Sequence, residues 1–202
     1  PDASFDAALL AQWAKADAPR MQESADVPAG EFRTRPGVFA WDRIDAASKM
    51  LAEALPADLR GRVADFGAGW GYLSLQVLAR CKQATSLDLY EADARALALA
   101  DENLADAPIP VHCHWQDVAR GVAERFDAIV CNPPFHALGR GDRPDIGRAF
   151  IAAAANALKP GGRLWLVANR HLPYEQALGD GFAQVDTIRQ EGGFKIVRAV
   201  KA

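Results

Sequence analysis

The sequence lacks what would commit it to a disulfide scaffold, a membrane or a polyanion. Its three cysteines, Cys81, Cys113 and Cys131, are odd in number and lack C-x-x-C spacing, which argues against a disulfide framework and for a reducing compartment. The cytoplasm is the expected location. No apolar run is long: residues 7–10 are too short for a signal segment and lack a basic flank, and the alanine-rich stretch 150–155 cannot span a bilayer. A soluble protein is expected, with no membrane partner. Nor is positive charge in excess. With 23 Lys and Arg against 26 Asp and Glu, the formal charge is −3, so any contact with nucleic acid needs a local basic face. Repeats and low-complexity tracts are absent too.

What is present is one chain of 202 residues, half of them hydrophobic, enough for one well-buried core. Residues 5–16 read as a helix, and Pro19, Pro28 and Gly30 then punctuate a linker-like stretch, so residues 1–32 are expected to be peripheral and 33–202 to form the catalytic domain. Ile44, Ala47, Met50, Leu51 and Leu55 recur at helical spacing until Pro56 stops the pattern. Beyond it, apolar runs at 62–66, 85–90, 111–115, 126–131 and 163–168 alternate with helical patterns at 72–80, 93–104 and 146–158. That alternation predicts an α/β fold with a parallel sheet covered by helices on both faces. Residues 182–189 and 194–200 flank Gly192-Gly193 with no helix between them, so they predict a C-terminal antiparallel hairpin and a mostly parallel, seven-stranded, Rossmann-like sheet in total.

Asp65-Phe66-Gly67-Ala68-Gly69-Trp70-Gly71 follows a strand and enters a helix. Glycines there let the backbone turn sharply and approach a ligand without a Cβ in the way. The spacing G-x-G-x-G is one residue short of the dinucleotide fingerprint, and no lysine stands ready for a diphosphate. Glu91, just past the next expected strand, suits two ribose hydroxyls, with Asp88 the competing candidate. Asp117, after the third strand, can accept a hydrogen bond from an adenine amine. Acids and a glycine turn at successive strand ends describe one crevice, for a ligand with hydroxyls, an amine and positive charge.

Asn132-Pro133-Pro134-Phe135 ends the fourth strand, with His136 next. The lone pair of a base or amide amine is delocalised, so its attack on a methyl sulfonium requires that the nitrogen be held and reshaped. The Asn132 side-chain oxygen and the Pro133 carbonyl can accept its two N–H bonds. Prolines fix those acceptors, and Phe135 offers a flat face for a planar substrate. Pro134 and His136 stand beside the same substrate, and Arg140, Arg143 and Arg148 follow where they can grip flanking phosphates. His112, Cys113 and His114 alternate across a strand and so do not converge on one metal; no metal is expected.

In this order and spacing, Asp65 to Gly71, Glu91, Asp117 and Asn132 to Phe135 resemble the class I S-adenosylmethionine-dependent methyltransferases that modify exocyclic amines. More closely, Arg35-Pro36-Gly37-Val38-Phe39, Asn132 to His136, Lys159-Pro160-Gly161-Gly162, Val167-Ala168-Asn169 and Leu172-Pro173-Tyr174 resemble the bacterial ribosomal RNA guanine-N2 methyltransferases, the small-subunit methyltransferase C-like family. The resemblance covers about residues 33–200. It implies S-adenosylmethionine as cofactor and S-adenosylhomocysteine as product. Phe39, Asp65, Gly67, Ala68, Gly69, Gly71, Glu91, Asp117 and Asn132 then belong to the cofactor site, with Phe39 closing over it. Asn132, Pro133 and Phe135 would hold a guanine amine of ribosomal RNA, free or in a subunit. A glutamine amide or adenine acceptor, and a non-catalytic RNA-binding module, remain open alternatives. The oligomeric state stays open, with a monomer preferred. Family members usually carry an additional inactive methyltransferase-like domain ahead of the catalytic one. A catalytic fragment, a minimal relative and an enzyme with another substrate are therefore all compatible with this chain.

Overall fold

From two neighbouring parallel strands in the middle of the sheet the chain continues to opposite sides, and that split positions everything else. In the computed structural model, which describes residues 6–134, 144–172 and 174–202, the chain opens with α1 (Ala7–Asp17), β1 (Arg20–Glu23), β2 (Glu31–Thr34) and α2 (Ala46–Ala54). The body follows as β3 (Arg60–Phe66), α3 (Tyr72–Arg80), β4 (Gln83–Glu91), α4 (Ala94–Asn103) and β5 (Val111–Trp115), then a single 3-10 turn (Val118–Arg120) and β6 (Phe126–Cys131). It ends with α5 (Pro144–Ala157), β7 (Leu158–Asn169), α6 (Glu175–Gly181), β8 (Gln184–Glu191) and β9 (Phe194–Val200).

The large sheet has the order β5-β4-β3-β6-β7-β9-β8. Its first five strands in that order are parallel, and beyond β7 the reversed strand β9 pairs antiparallel with both β7 and β8. The chain winds outward from β3 to β5, then returns to the other side of β3 as β6. A topological switch of this kind leaves a crevice at the carboxyl ends of the two central strands. Here the register pairs Phe66 with Cys131, so Gly67 and Asn132 follow side by side at that crevice.

Period-two alternation divides the strands between two cores. Val63, Leu87, Leu89, Val130 and Val167 pack beneath α2, α3 and α4, while Ala64, Phe66, Ile129, Cys131 and Leu166 pack beneath α5 and α6. Leu87, Leu89 and Ile129 are wholly buried, each such side chain being worth roughly 1.5–3 kcal/mol. Burial on both faces explains why these strands read as near-continuous apolar runs rather than as half-buried alternation.

The strand and helix order of the large sheet agrees with the sequence expectation, with shifted ends and with the short helix α6, which was not expected. β7 begins at Leu158 rather than after it, Glu91 is the last residue of β4 rather than the first beyond it, and the hairpin spans 184–200. The stretch expected as a linker instead contains the hairpin β1–β2. Val27 and Phe32 within it are buried, and Phe32 stacks on Trp70 with ring centroids 4.1 Å apart. By contrast, α1 buries none of its residues, although Asp6 caps its first turn. No helix among the described residues is long and apolar enough to cross a membrane.

Candidate active site

Three glycines make the turn after β3 possible. Gly67, Gly69 and Gly71 have φ of 78°, 56° and 96°, the left-handed region that costs an L residue with a Cβ roughly 1–2 kcal/mol. The turn is tied to the neighbouring strand, because the N–H groups of Gly67 and Ala68 both donate to the Tyr90 carbonyl, at 2.9 and 3.1 Å. Gly71 begins α3 without any side-chain cap, which leaves the helix N–H groups and their partial positive charge facing the turn.

Glu91 braces the turn from β4. Its Oε2 accepts from the Gly69 N–H and its Oε1 from the Asp93 N–H, each at 2.8 Å. Each carboxylate oxygen can accept a second bond, and the group lines a cleft of about 650 Å³, a size suited to a nucleoside-like ligand. Asp117 borders the same cleft, with its Oδ1 accepting from the Ala119 N–H at 2.9 Å at the start of the 3-10 turn. Asn132, Pro133 and Pro134 stand on the facing side, and Phe39, 65% exposed, stands at the rim. Gly67, Ala68 and Gly69 also line a smaller recess of about 50 Å³ beside Phe39, Asp45, Ser48 and Asn132.

Asp65 has a different position. It lies wholly buried beneath the turn, outside the lining of the cleft, and its Oδ2 accepts from the Ser74 hydroxyl at 2.8 Å. Its other oxygen is buried without a hydrogen-bond partner. Burial pushes its pKa up to about 7, the Ser74 hydroxyl working against this and the Glu91 charge adding to it. Asp88, the alternative to Glu91, is also wholly buried, and it is clasped by Arg62 at 2.7 and 2.8 Å away from the cleft. Burial would raise its pKa, but the hydrogen bonds and charges of Arg62 and His114 outweigh this and hold it below the ordinary carboxylate value.

Asn132 is held by residues that sequence reasoning missed. Its Nδ2 donates to Asp45 Oδ2 at 3.0 Å and to Ser48 Oγ at 2.7 Å. The linear signal for Asp45 and Ser48 was only that of a helix start, an Asp before an amphipathic run. The opposite wall was also unforeseen: Ile146 and Phe150 of α5, Asn169 at the end of β7 and Phe194 at the start of β9 line the cleft. Phe135, His136, Arg140 and Arg143 lie outside the described residues. Arg148 is exposed on α5 and does not line the cleft. His112 and His114 do not converge with Cys113 on a metal: His114 Nε2 lies 2.9 Å from Asp88 Oδ1, and its ring stacks on Tyr90.

Comparison with known proteins agrees with this architecture. Residues 29–198 match the methyltransferase small domain. Ribosomal RNA small subunit methyltransferase C of Erwinia tasmaniensis is 36% identical over 179 residues, which is 88% of this chain and 52% of that protein. Its namesake from Alcanivorax borkumensis is 38% identical over 181 residues, 88% of this chain and 54% of that protein. This chain thus spans about half the length of the curated relatives it matches. Among solved structures, the T. thermophilus 16S rRNA N2 G1207 methyltransferase in complex with AdoMet and guanosine superposes with a TM-score of 0.77 at 32% identity, over 91% of this chain and 51% of that one. A putative RNA methyltransferase from Pyrococcus horikoshii, at 23% identity and a TM-score of 0.60, shares the fold. Since the family match runs from before β2 into β9 and takes in both the glycine turn and the Asn-Pro-Pro segment, this chain belongs to the methyltransferase small domain family.

Proposed function

We propose that this chain transfers a methyl group from S-adenosylmethionine to the exocyclic N2 amine of a guanine in ribosomal RNA, in the cytoplasm. The observation that carries the reading is the orientation of Asn132. With its nitrogen engaged by Asp45 and Ser48, its oxygen is the atom left to accept a substrate N–H, beside the glycine turn. The ribosomal RNA methyltransferases among its relatives and the guanosine bound in the T. thermophilus enzyme support the same chemistry.

The residues present fit the cofactor. Glu91 keeps acceptor capacity for two vicinal hydroxyls, Asp117 can accept from an amine, and Gly69 has nothing within 4 Å of where a Cβ would stand, a cradle that a side chain would fill. The uncapped start of α3 suits a carboxylate. Asp65 would serve from below, by holding Ser74 and α3. Bound there, S-adenosylmethionine supplies an electrophilic methyl on a sulfonium.

The chain's own residues would do the rest. Asn132 Oδ1 and the Pro133 carbonyl accept the two N–H bonds of the guanine amine, which localises its lone pair and aims it into the cleft. Phe39 and Phe150 supply apolar surface to the cleft at its rim and wall. The methylated nitrogen becomes cationic and then loses a proton to solvent, so no strong base is required. Phe135 and His136 would stack and contact the base, and Arg140, Arg143 and Arg148 would grip flanking phosphates.

The test is calorimetric titration with S-adenosylhomocysteine, then transfer of labelled methyl to ribosomal subunits from a strain lacking the protein. Label at N2 of a guanine is the expected result. Label in a protein glutamine or in adenine would move the acceptor, and no cofactor binding would leave only a non-catalytic module.

A further inference from the structure

We infer that Asp45 and Ser48 are positioning residues that fix which end of the Asn132 amide faces the substrate; the inference rests on the methyl-transfer reading of this cleft. An asparagine amide is nearly symmetric in shape, so rotation by a half turn exchanges an acceptor for a pair of donors. A side chain that must accept from an amine needs its nitrogen committed elsewhere. Here both N–H bonds of Nδ2 are committed, to Asp45 Oδ2 at 3.0 Å and to Ser48 Oγ at 2.7 Å.

The Asp45 carboxylate is what makes the choice one-sided. A hydroxyl can accept or donate and would tolerate either orientation of the amide, whereas a carboxylate only accepts. In the rotated amide, Asn132 Oδ1 would face Asp45 Oδ2, two acceptors in contact and one of them charged. The platform is rigid as well. Asp45 caps α2, and the same Oδ2 accepts from the Ser48 N–H at 2.8 Å. Asp45 and Asn132 are 87 positions apart, and they meet because α2 lies over the carboxyl end of β6.

Three variants separate this role from capping and from cofactor binding. Asp45→Ser still caps the helix but its side chain is too short to reach Asn132. Asp45→Asn keeps both cap and reach, since one oxygen already serves both partners. Ser48→Ala removes one acceptor and leaves the helix intact. Two measurements accompany activity: the side-chain amide NMR signals of Asn132, assigned by their loss in Asn132→Asp, and the affinity for S-adenosylhomocysteine.

In Asp45→Ser the Asn132 amide signals should move to solvent-like positions and exchange faster, in Ser48→Ala one of the two should, and Asp45→Asn leaves them near the native ones. Turnover at saturating substrates should fall about tenfold in Asp45→Ser and less in Ser48→Ala, and in the double variant by less than the product of the two, because both act through one amide. Cofactor affinity should fall by much less than turnover does, since the Asn132 oxygen is aimed at the substrate amine and not at the cofactor. Unmoved Asn132 signals would overturn the proposal. So would a loss of cofactor affinity in Asp45→Asn, because Asp45 would then act on the cofactor directly. If the amide signals respond as described but the native chain transfers no methyl group, the orienting role stands and the methyl-transfer reading falls.

Discussion

The Gly69 N–H donates to Glu91 Oε2 over 2.8 Å, so the acid at the end of β4 and the turn after β3 form one hydrogen-bonded unit. Glu91 spends its other oxygen on the Asp93 N–H, and two separate N–H donors therefore require two separate acceptor oxygens. Glu91→Gln offers only one, and its NH2 would face a donor, a mismatch of about 1–3 kcal/mol. Affinity for S-adenosylhomocysteine should fall at least tenfold, roughly 1.4 kcal/mol, and Glu91→Ala should lose more. Calorimetry decides it: undiminished affinity in Glu91→Gln would remove Glu91 from the cofactor site.

Gly69 and Gly71 should fail in different ways when replaced by Ala. At Gly71, with φ of 96°, a Cβ would only reach van der Waals contact with Ala100 Cβ and Leu104 Cδ1 at 3.4 Å, so the cost falls on the backbone at the start of α3. At Gly69, with φ of 56°, a Cβ meets nothing and would stand where a ligand comes. Gly71→Ala should thus lower the thermal midpoint by about 3–8 °C, from roughly 1–2 kcal/mol. Gly69→Ala should lower it less and weaken cofactor binding more. Thermal unfolding and calorimetry on both variants check this, and the reverse ranking would mean that the turn is only structural.

How far the sequence reached follows from where each signal lives. Strands such as Phe126–Cys131 were legible because burial on both faces leaves an apolar run, broken here only by Asp127, and the glycine turn because positive φ has a residue signature. The β1–β2 hairpin was not, since its strands are four residues each and largely exposed. Only Phe32 and Thr34 alternate inward there. Asn132 was legible as a candidate from the prolines that follow it. Its partners were not: an Asp and a Ser at a helix start carry a capping signal and nothing about a strand end far along the chain. Long-range pairing is written in the topology, at the β3/β6 switch, and not in any local spacing.

Asp65 should make stability depend on pH in the direction opposite to most carboxylates. Its folded pKa of about 7 lies above its ordinary 3.8, so between those values the folded protein binds the extra proton. Stability from this group is present below about pH 4 and is lost as pH rises to about 7, after which the slope ends. Asp65→Asn keeps an acceptor for Ser74 and has nothing to ionise. Relative to the native chain, the variant should gain urea resistance from pH 5 upward, level off above pH 7 and match it near pH 4. A pH-independent difference would show that Asp65 is already ionised in the folded protein at low pH.

Arg62 and Asp88 provide the control for the choice of Glu91 over Asp88. Arg62 Nε and Nη2 donate to the two Asp88 oxygens, and Arg62 also lies over the Phe126 ring at 5.0 Å. Removing the guanidinium leaves a wholly buried carboxylate with His114 as its remaining partner, which costs about 3–5 kcal/mol in such sites. Arg62→Met should therefore be strongly destabilised, and Arg62→Met with Asp88→Leu should recover most of the loss, because the unpaired charge and not the missing bond carries the penalty. In the native chain the depressed pKa of Asp88 works in the acid range: its contribution is present above about pH 4 and is lost as pH falls through the folded value. The double variant should lack that acid loss and still bind S-adenosylhomocysteine with native affinity, since neither residue lines the cleft. If affinity instead collapsed in the folded double variant, Asp88 would be the hydroxyl-binding acid and the assignment of Glu91 would have to be exchanged for it.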